Sequence, residues 1–282
     1  MKLVVGYLAT PGVADAVALG VRLARTLGAE LELRLVVEAD DVTTPRVTAE
    51  KFHDILADQT RVWLDDGLKL VPEDVTAHAE VVVAESVTEA LSAEALRLDA
   101  LAIVVGGSGG GLIGRYWLGS DVDHLLHFAP VPVAVAPRGT RHSDVARVRT
   151  VTCAIGSRPG AKLLLDTAVR LCAAAGVPLR LVSLVALDAH QGSDVEVARE
   201  KAGAAIESAK ASLPSDLQVT TEVVEGASVE EAVEKLTWRD GDLLMLGSSR
   251  LAPPRRLFIG STAARILRVL DVPIVVTPRG DD

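Results

Sequence analysis

The stretch Val131-Pro132-Val133-Ala134-Val135-Ala136-Pro137-Arg138-Gly139 returns as Val272-Pro273-Ile274-Val275-Val276-Thr277-Pro278-Arg279-Gly280, 141 residues further along the chain. In that same register Asp99 meets Asp240, Gly106 meets Gly247, and Gly119-Ser120 meets Gly260-Ser261. Upstream, Arg22-Leu23-Ala24 and Gly28 meet Arg170-Leu171-Cys172 and Gly176 at an offset of 148, so the first copy holds about seven extra residues between these landmarks. A repeat of this length is a whole folding unit written twice. The expected domains are residues 1–140 and 148–282, joined by a short polar linker that starts Thr140-Arg141-His142-Ser143-Asp144. Each unit is long enough to bury a core without disulfide staples.

Within each unit the hydrophobic period alternates between strand and helix. The first unit predicts strands at Leu3–Tyr7, Leu31–Val37, Val75–Val83, Leu101–Val105 and Val133–Ala136, and helices at Val13–Leu27, Val87–Leu98 and Ser120–Phe128, with a further helix in the long polar stretch after the second strand. In the second unit Leu164, Ala168, Leu171 and Ala175 lay one apolar stripe along its first helix. Strands separated by helices of this length imply βαβ crossovers and a parallel sheet covered on both faces. Near-continuous apolar strands such as Leu101-Ala102-Ile103-Val104-Val105 agree. Each unit is therefore expected to be a five-stranded, doubly wound α/β domain.

Composition then removes several function classes. The whole chain has three Trp, two Tyr and three Phe, too few for the aromatic platform of a single-strand nucleic-acid binder. Its net charge of -9 opposes attraction to a phosphate backbone, so no nucleic-acid partner is expected. Residues 1–140 hold 11 Lys plus Arg against 20 Asp plus Glu, and the remainder holds 18 of each, so the first unit carries the whole net charge. Cys153 and Cys172 sit in apolar stretches and are expected to be buried free thiols, which suits a cytoplasmic protein. The apolar N-terminus breaks at Pro11-Gly12, unlike a signal peptide, and no run is long enough for a membrane span.

The densest chemical signal is Gly106-Gly107-Ser108-Gly109-Gly110-Gly111-Leu112-Ile113-Gly114-Arg115-Tyr116-Trp117-Leu118-Gly119-Ser120. It leaves the carboxyl end of the fourth strand and feeds a helix, where ligands of open α/β sheets bind and where free N–H groups attract anions. Gly106, Gly109 and Gly119 lack the β-carbons that would hold phosphate oxygens away, and Ser120 can add a hydroxyl donor. Gly109 to Gly114 satisfies the dinucleotide pattern G-x-G-x-x-G, but no helix starts at the third glycine and no acidic residue follows at the ribose distance. Arg115-Tyr116 replaces the lysine and hydroxyl of a P-loop. Gly106-Gly107-Ser108-Gly109-Gly110 satisfies G-x-S-x-G and would make Ser108 a hydrolase nucleophile, yet the helix comes about ten residues late and the repeat reads Gly247-Ser248-Ser249-Arg250.

The spacing Gly106-x2-Gly109-x9-Gly119-Ser120 resembles the signature of the universal stress protein family, and Gly247-x2-Arg250-x9-Gly260-Ser261 repeats the frame with its second glycine lost. The Val-Pro-Val strand closing the first copy, and its counterpart in the second, are family-like too, so the resemblance covers nearly the whole chain as a tandem pair. It implies a sheet ordered 3-2-1-4-5 of the adenine nucleotide alpha hydrolase-like type, binding of ATP or another adenine nucleotide, and a pseudo-two-fold pair joined through the fifth strands. It also implies a site at Gly106, Ser108, Gly109, Gly119, Ser120 and Asp121, with Val36 (or Leu184 in the second copy) against the adenine. The second copy would contribute Gly247, Arg250, Gly260, Ser261 and Thr262.

Two departures bear on that site. ATP-binding members carry an Asp just after the first strand, where this chain has Leu8 and Ile155. Losing a carboxylate that accepts from ribose hydroxyls removes about 1.5–3 kcal/mol, or roughly one to two decades of affinity. Asp121 also stands where a small or apolar residue is usual, competing with phosphate for the helix N-terminus. Elsewhere His124 and His127 beside Asp121 and Asp123 form a metal-like spacing that the second copy does not repeat, and helix-end histidines explain it. Trp63, Trp117 and Trp238 read as packing, with Trp117 placed to cover a ligand.

No nucleophile–base pair or paired carboxylate is present, so the expected function is binding and signalling in a stress response, with at most weak ATP hydrolysis. A ligand-free scaffold acting through protein contacts is the alternative. The exposed edge of a fifth strand invites pairing, inside the chain or in a homodimer.

Overall fold

A computed structural model describes residues 1–7, 12–38, 60, 62–107, 119–156, 162–189, 194–249, 252 and 256–279. The first half runs β1 (Lys2–Tyr7), α1 (Val13–Leu27), β2 (Glu30–Glu38), α2 (62–69), β3 (Ala77–Ala84), α3 (Val87–Arg97), β4 (Ala102–Gly106), α4 (Ser120–Phe128) and β5 (Val133–Ala136). The second half repeats it as β6 (Thr150–Ala154), α5 (Lys162–Ala175), β7 (Leu179–Ala186), α6 (Asp194–Ala211), β8 (Val219–Gly226), α7 (Val229–Glu234), β9 (Asp242–Gly247), α8 (Ser261–Leu267) and β10 (Ile274–Thr277).

All ten strands form one sheet in the order β3-β2-β1-β4-β5-β10-β9-β6-β7-β8. Every pairing is parallel except the central one, where β5 and β10 run antiparallel with Ala134 opposite Val275. In each half the order is thus 3-2-1-4-5, and the direction of winding reverses between the first strand and the fourth. Such a switch point leaves a crevice at the carboxyl ends of those two strands.

Alternation along the strands separates two cores. Leu3, Val5, Ala102 and Val104 face α1 and α5, while Val4, Ile103 and Val105 face α3, α4, α7 and α8. Burial on both faces is why these strands are apolar throughout. Helix α1 ends because Gly28 takes φ 63°, a left-handed conformation from which its N–H reaches Ala24 O. Gly176 takes φ 64° after α5, the same punctuation at the same place in the repeat. Ser86 and Ser228 cap α3 and α7 by accepting from the N–H of Glu89 and Glu231. Cys153 and Cys172 are buried free thiols in the core under α5, where burial pushes the Cys172 thiol up to about 12.

The linker is polar and also firmly held. Asp15, buried in α1, accepts from the Arg141 backbone N–H at 2.9 Å and from its guanidinium at 3.0 Å. Arg22 donates to Val145 O, and Val148 N–H donates to Thr26 Oγ1. The connection between the halves therefore lies strapped along α1.

One charged cluster lies inside the fold. On β2, Arg34 is 2% exposed and bonds Glu32 at 2.8 Å and Glu94 of α3 at 2.7 Å, and Lys2 meets Glu32 at 2.6 Å. Arg97, and behind it Arg34, hold the Glu94 carboxyl down to about 2, against burial that would raise it. A carboxylate whose folded pKa is depressed stabilises fully above its unfolded value near 4.5 and loses that contribution as pH falls toward about 2. We expect the urea midpoint to drop across this window, and Glu94→Gln to flatten the drop when measured by circular dichroism. An unchanged pH slope in the variant would contradict the assignment.

Candidate functional site

The expected site lies where β1 and β4 part company. Strand β4 ends at Gly106, and Gly12, the N-cap of α1, lies against that end. The backbones touch so closely that a β-carbon on Gly106 would stand 2.1 Å from Gly12 O, and one on Gly12 would stand 2.3 Å from Gly107 O. The first glycine of the loop is thus required by chain packing inside the crevice, beside any service to a ligand. Gly107 N–H donates to Ala136 O and ties the loop's start to β5.

Across the crevice α4 begins at Ser120. Its N-cap is Gly119, extended at φ -63° and ψ 165°, and no side chain caps it. The first-turn N–H groups of such a helix are free to meet an anion. Ser120 is exposed and Gly119 and Asp121 are half-buried, with Asp121 and Asp123 bringing two carboxylates into the same turn. Val36 is buried on the α3 face of β2, and Leu184 is partly buried on the same face in β7. Ser108, Gly109, Arg115 and Trp117 lie outside the described residues, as does Leu8.

In the second half the equivalent loop is described on both sides of residues 250–255. Ser248 Oγ accepts from Phe258 N–H at 2.6 Å and donates to Phe258 O, while Ser249 N–H donates to Phe258 O at 2.8 Å, closing the loop on itself. The residues after that closure cross to the first half. Leu257 N–H donates to Ala129 O, Ile259 N–H to Leu126 O, and the Arg256 guanidinium to Phe128 O, so the loop satisfies the open carbonyls at the end of α4. Gly260 caps α8 with Ser249 packed 3.5 Å from where its β-carbon would be, and Ser261 and Thr262 are exposed. Gly247 would meet Leu164 at an ordinary 3.5 Å. Arg250 and Arg255 lie outside the described residues. Ile155 is buried in the α5 core, but the strand register makes it the counterpart of Tyr7, so the second half's counterpart of Leu8 is Gly156 rather than Ile155.

The histidines of α4 serve packing and polar closure. His124 Nδ1 lies 2.9 Å from Thr88 Oγ1, and His127 Nδ1 lies 2.7 Å from Asp123 O. Their rings meet Phe128 and, across the halves, Phe258. No cluster of three metal-ligating side chains exists among the described residues. Trp63 packs against the α1 core, and Trp238 donates its Nε1–H to Val233 O beneath the Arg180 guanidinium.

The model of the universal stress protein family matches residues 1–137 and again 147–278. The chain belongs to the universal stress protein family. Universal stress proteins of Mycobacterium tuberculosis and Mycobacterium bovis are 28% identical over 301 residues, spanning 99% of this chain and 100% of theirs. Among solved structures, a universal stress protein from Archaeoglobus fulgidus superposes with a TM-score of 0.66 at 15% identity, covering 98% of both chains. A putative universal stress protein from Pseudomonas aeruginosa gives 0.59 at 18% identity, covering 99% of this chain and 94% of its own. The tandem reading and the α/β fold both stand on these matches. Among the described residues no helix is long and apolar enough to cross a membrane.

The hydrogen-bonded closure of the second loop and its reach to α4 were not foreseen in the sequence. The only local signal is Ser248, a hydroxyl directly after β9, whose acceptor and donor partner is ten positions away.

Proposed function

We propose that the first half of this universal stress protein binds an adenine nucleotide or another phosphate-bearing ligand between β4 and the start of α4, and that the protein acts by binding in a stress response rather than by turnover. One observation carries the reading: α4 starts at an extended, uncapped Gly119 beside the β1–β4 switch point. Gly106, Ser108, Gly109, Gly119, Ser120 and Asp121 are assigned to the phosphate, and Val36 to the base. The second half is assigned the lesser role at Gly247, Arg250, Gly260, Ser261 and Thr262, because Arg250 stands in place of its second signature glycine. We place the protein in the cytoplasm, with no nucleic-acid partner and no resident metal.

The scaffold reading has its own support in the tight Gly12–Gly106 contact, which explains one signature glycine without a ligand. Native mass spectrometry of the purified protein with ATP, ADP and AMP separates the two. A single-nucleotide adduct is expected, whereas its absence at millimolar nucleotide would leave the scaffold.

A further inference from the structure

The two halves carry corresponding grooves beside their first helices, and among the described residues only the first is walled by linker residues. In the first half a groove of about 140 Å³ is lined by Val21 and Arg25 of α1, by Pro72, and by linker residues Val145 and Ala146. Arg25 closes its rim through a two-pronged bond to Asp74 at 2.6 and 2.7 Å. The Asp74 carboxyl is held below its ordinary range mainly by Arg25, and linker Arg147 contributes from nearby. The strap thus forms one wall of the groove with Val145 and Ala146 and brings Arg147 near the acid at its edge.

In the second half, Val169, Ala173 and Pro214 stand where Val21, Arg25 and Pro72 stand, and Asp216 stands where Asp74 does. The groove is larger, about 380 Å³, with Leu217 in its wall and, among the described residues, no counterpart of the strap lining it. Replacement of Arg25 by Ala173 removes the closing cation. Asp216 is exposed, and among the described residues it makes no ion pair.

We propose that this open groove docks an extended peptide segment in which two small apolar residues are followed by an arginine or lysine. The apolar pair would lie against Val169, Ala173 and Leu217, and the cation would meet Asp216. The evidence for the occupant is internal: Val145 and Ala146 of this same chain form one wall of the groove in the other half, with Arg147 near its acid, and Asp216, without an ion pair among the described residues, asks for a positive side chain. The proposal stands apart from the nucleotide reading, since it uses neither glycine loop.

A fluorescein-labelled peptide Ser-Asp-Val-Ala-Arg-Val, titrated with the full chain and followed by anisotropy, tests it. Saturable binding is expected, weakened at least tenfold when the peptide arginine is replaced by glutamate and at least tenfold by Asp216→Lys in the protein. Ala173→Arg, an exposed helix position, should also abolish binding by rebuilding the closed rim, with circular dichroism confirming that the fold persists. No saturation at millimolar peptide would overturn the proposal, as would equal binding of both peptides or binding untouched by Ala173→Arg and Asp216→Lys. Concentration-dependent self-association that Ala173→Arg eliminates would also overturn it, by assigning the groove to a second copy.

Discussion

Gly106→Ala should destabilise the protein by about 2–3 kcal/mol, while Gly247→Ala at the equivalent place in the second half should change stability by less than about 1 kcal/mol. The two glycines end equivalent strands and open equivalent loops, so a shared demand of the sequence pattern would make the substitutions alike. Among the described residues their surroundings differ. A methyl on Gly106 meets the Gly12 carbonyl oxygen at 2.1 Å, an overlap relieved only by moving Gly12 and the start of α1. A methyl on Gly247 meets, among the described residues, only Leu164, nearest at 3.5 Å. Urea unfolding of the two variants measures the difference directly. Equal losses would show that the Gly12 turn yields easily and that the contact does not hold the crevice closed.

The second large effect belongs to Arg34. Its guanidinium is 2% exposed and joins Glu32, itself 5% exposed, to Glu94 on the overlying helix. Removing one partner of a buried ion cluster leaves the others uncompensated, a loss of about 3–5 kcal/mol. Arg34→Met keeps the length and apolar stem while deleting the charge, so the expected loss is electrostatic. Lys2 remains beside Glu32 and limits the damage toward the lower figure. The repeat supplies a natural comparison: strand pairing places Arg180 at the position of Glu32 and Val182 at that of Arg34. The second half thus fills the same face with Val182 and with Arg180 stacked on Trp238. Denaturant midpoints for Arg34→Met and Val182→Ala should show the arginine to matter more, and the reverse order would contradict the cluster's role.

Much of the architecture was legible from local pattern because the responsible forces are local. Helices at Val13–Leu27 and Ser120–Phe128 and the strand at Val133–Ala136 occur as the periodicity predicts. Glycine after the first helix and apolar runs in the strands each report a constraint that a few neighbours impose. The third strand begins at Ala77 rather than Val75, since Val75 N–H closes a turn onto Pro72 O and its side chain is buried there. Glu32 and Arg34 alternate with leucines in a way that suggests one wet face, yet α3 covers that face and brings Glu94 to it. Partners so far apart in sequence leave no local trace. The same holds at the site, where the pressure on Gly106 comes from Gly12, and where residues 256–259 are held by the end of α4. The glycine spacing located the crevice, while the second loop's hold on α4 depends on contacts between the halves.

The second half's loop helps hold the two halves together at the end of α4, and we assign the anion to the start of α4 in the first half. The negative field of the first half and the carboxylates of Asp121 and Asp123 work against such a ligand, so modest affinity is expected and the backbone geometry at Gly119 has to dominate. Isothermal titration of ATP into the wild-type protein, Gly119→Leu and Gly260→Leu tests that claim most directly. The account predicts one ATP per chain, retained in Gly260→Leu and lost in Gly119→Leu; no heat at millimolar ATP, or loss confined to Gly260→Leu, would contradict it.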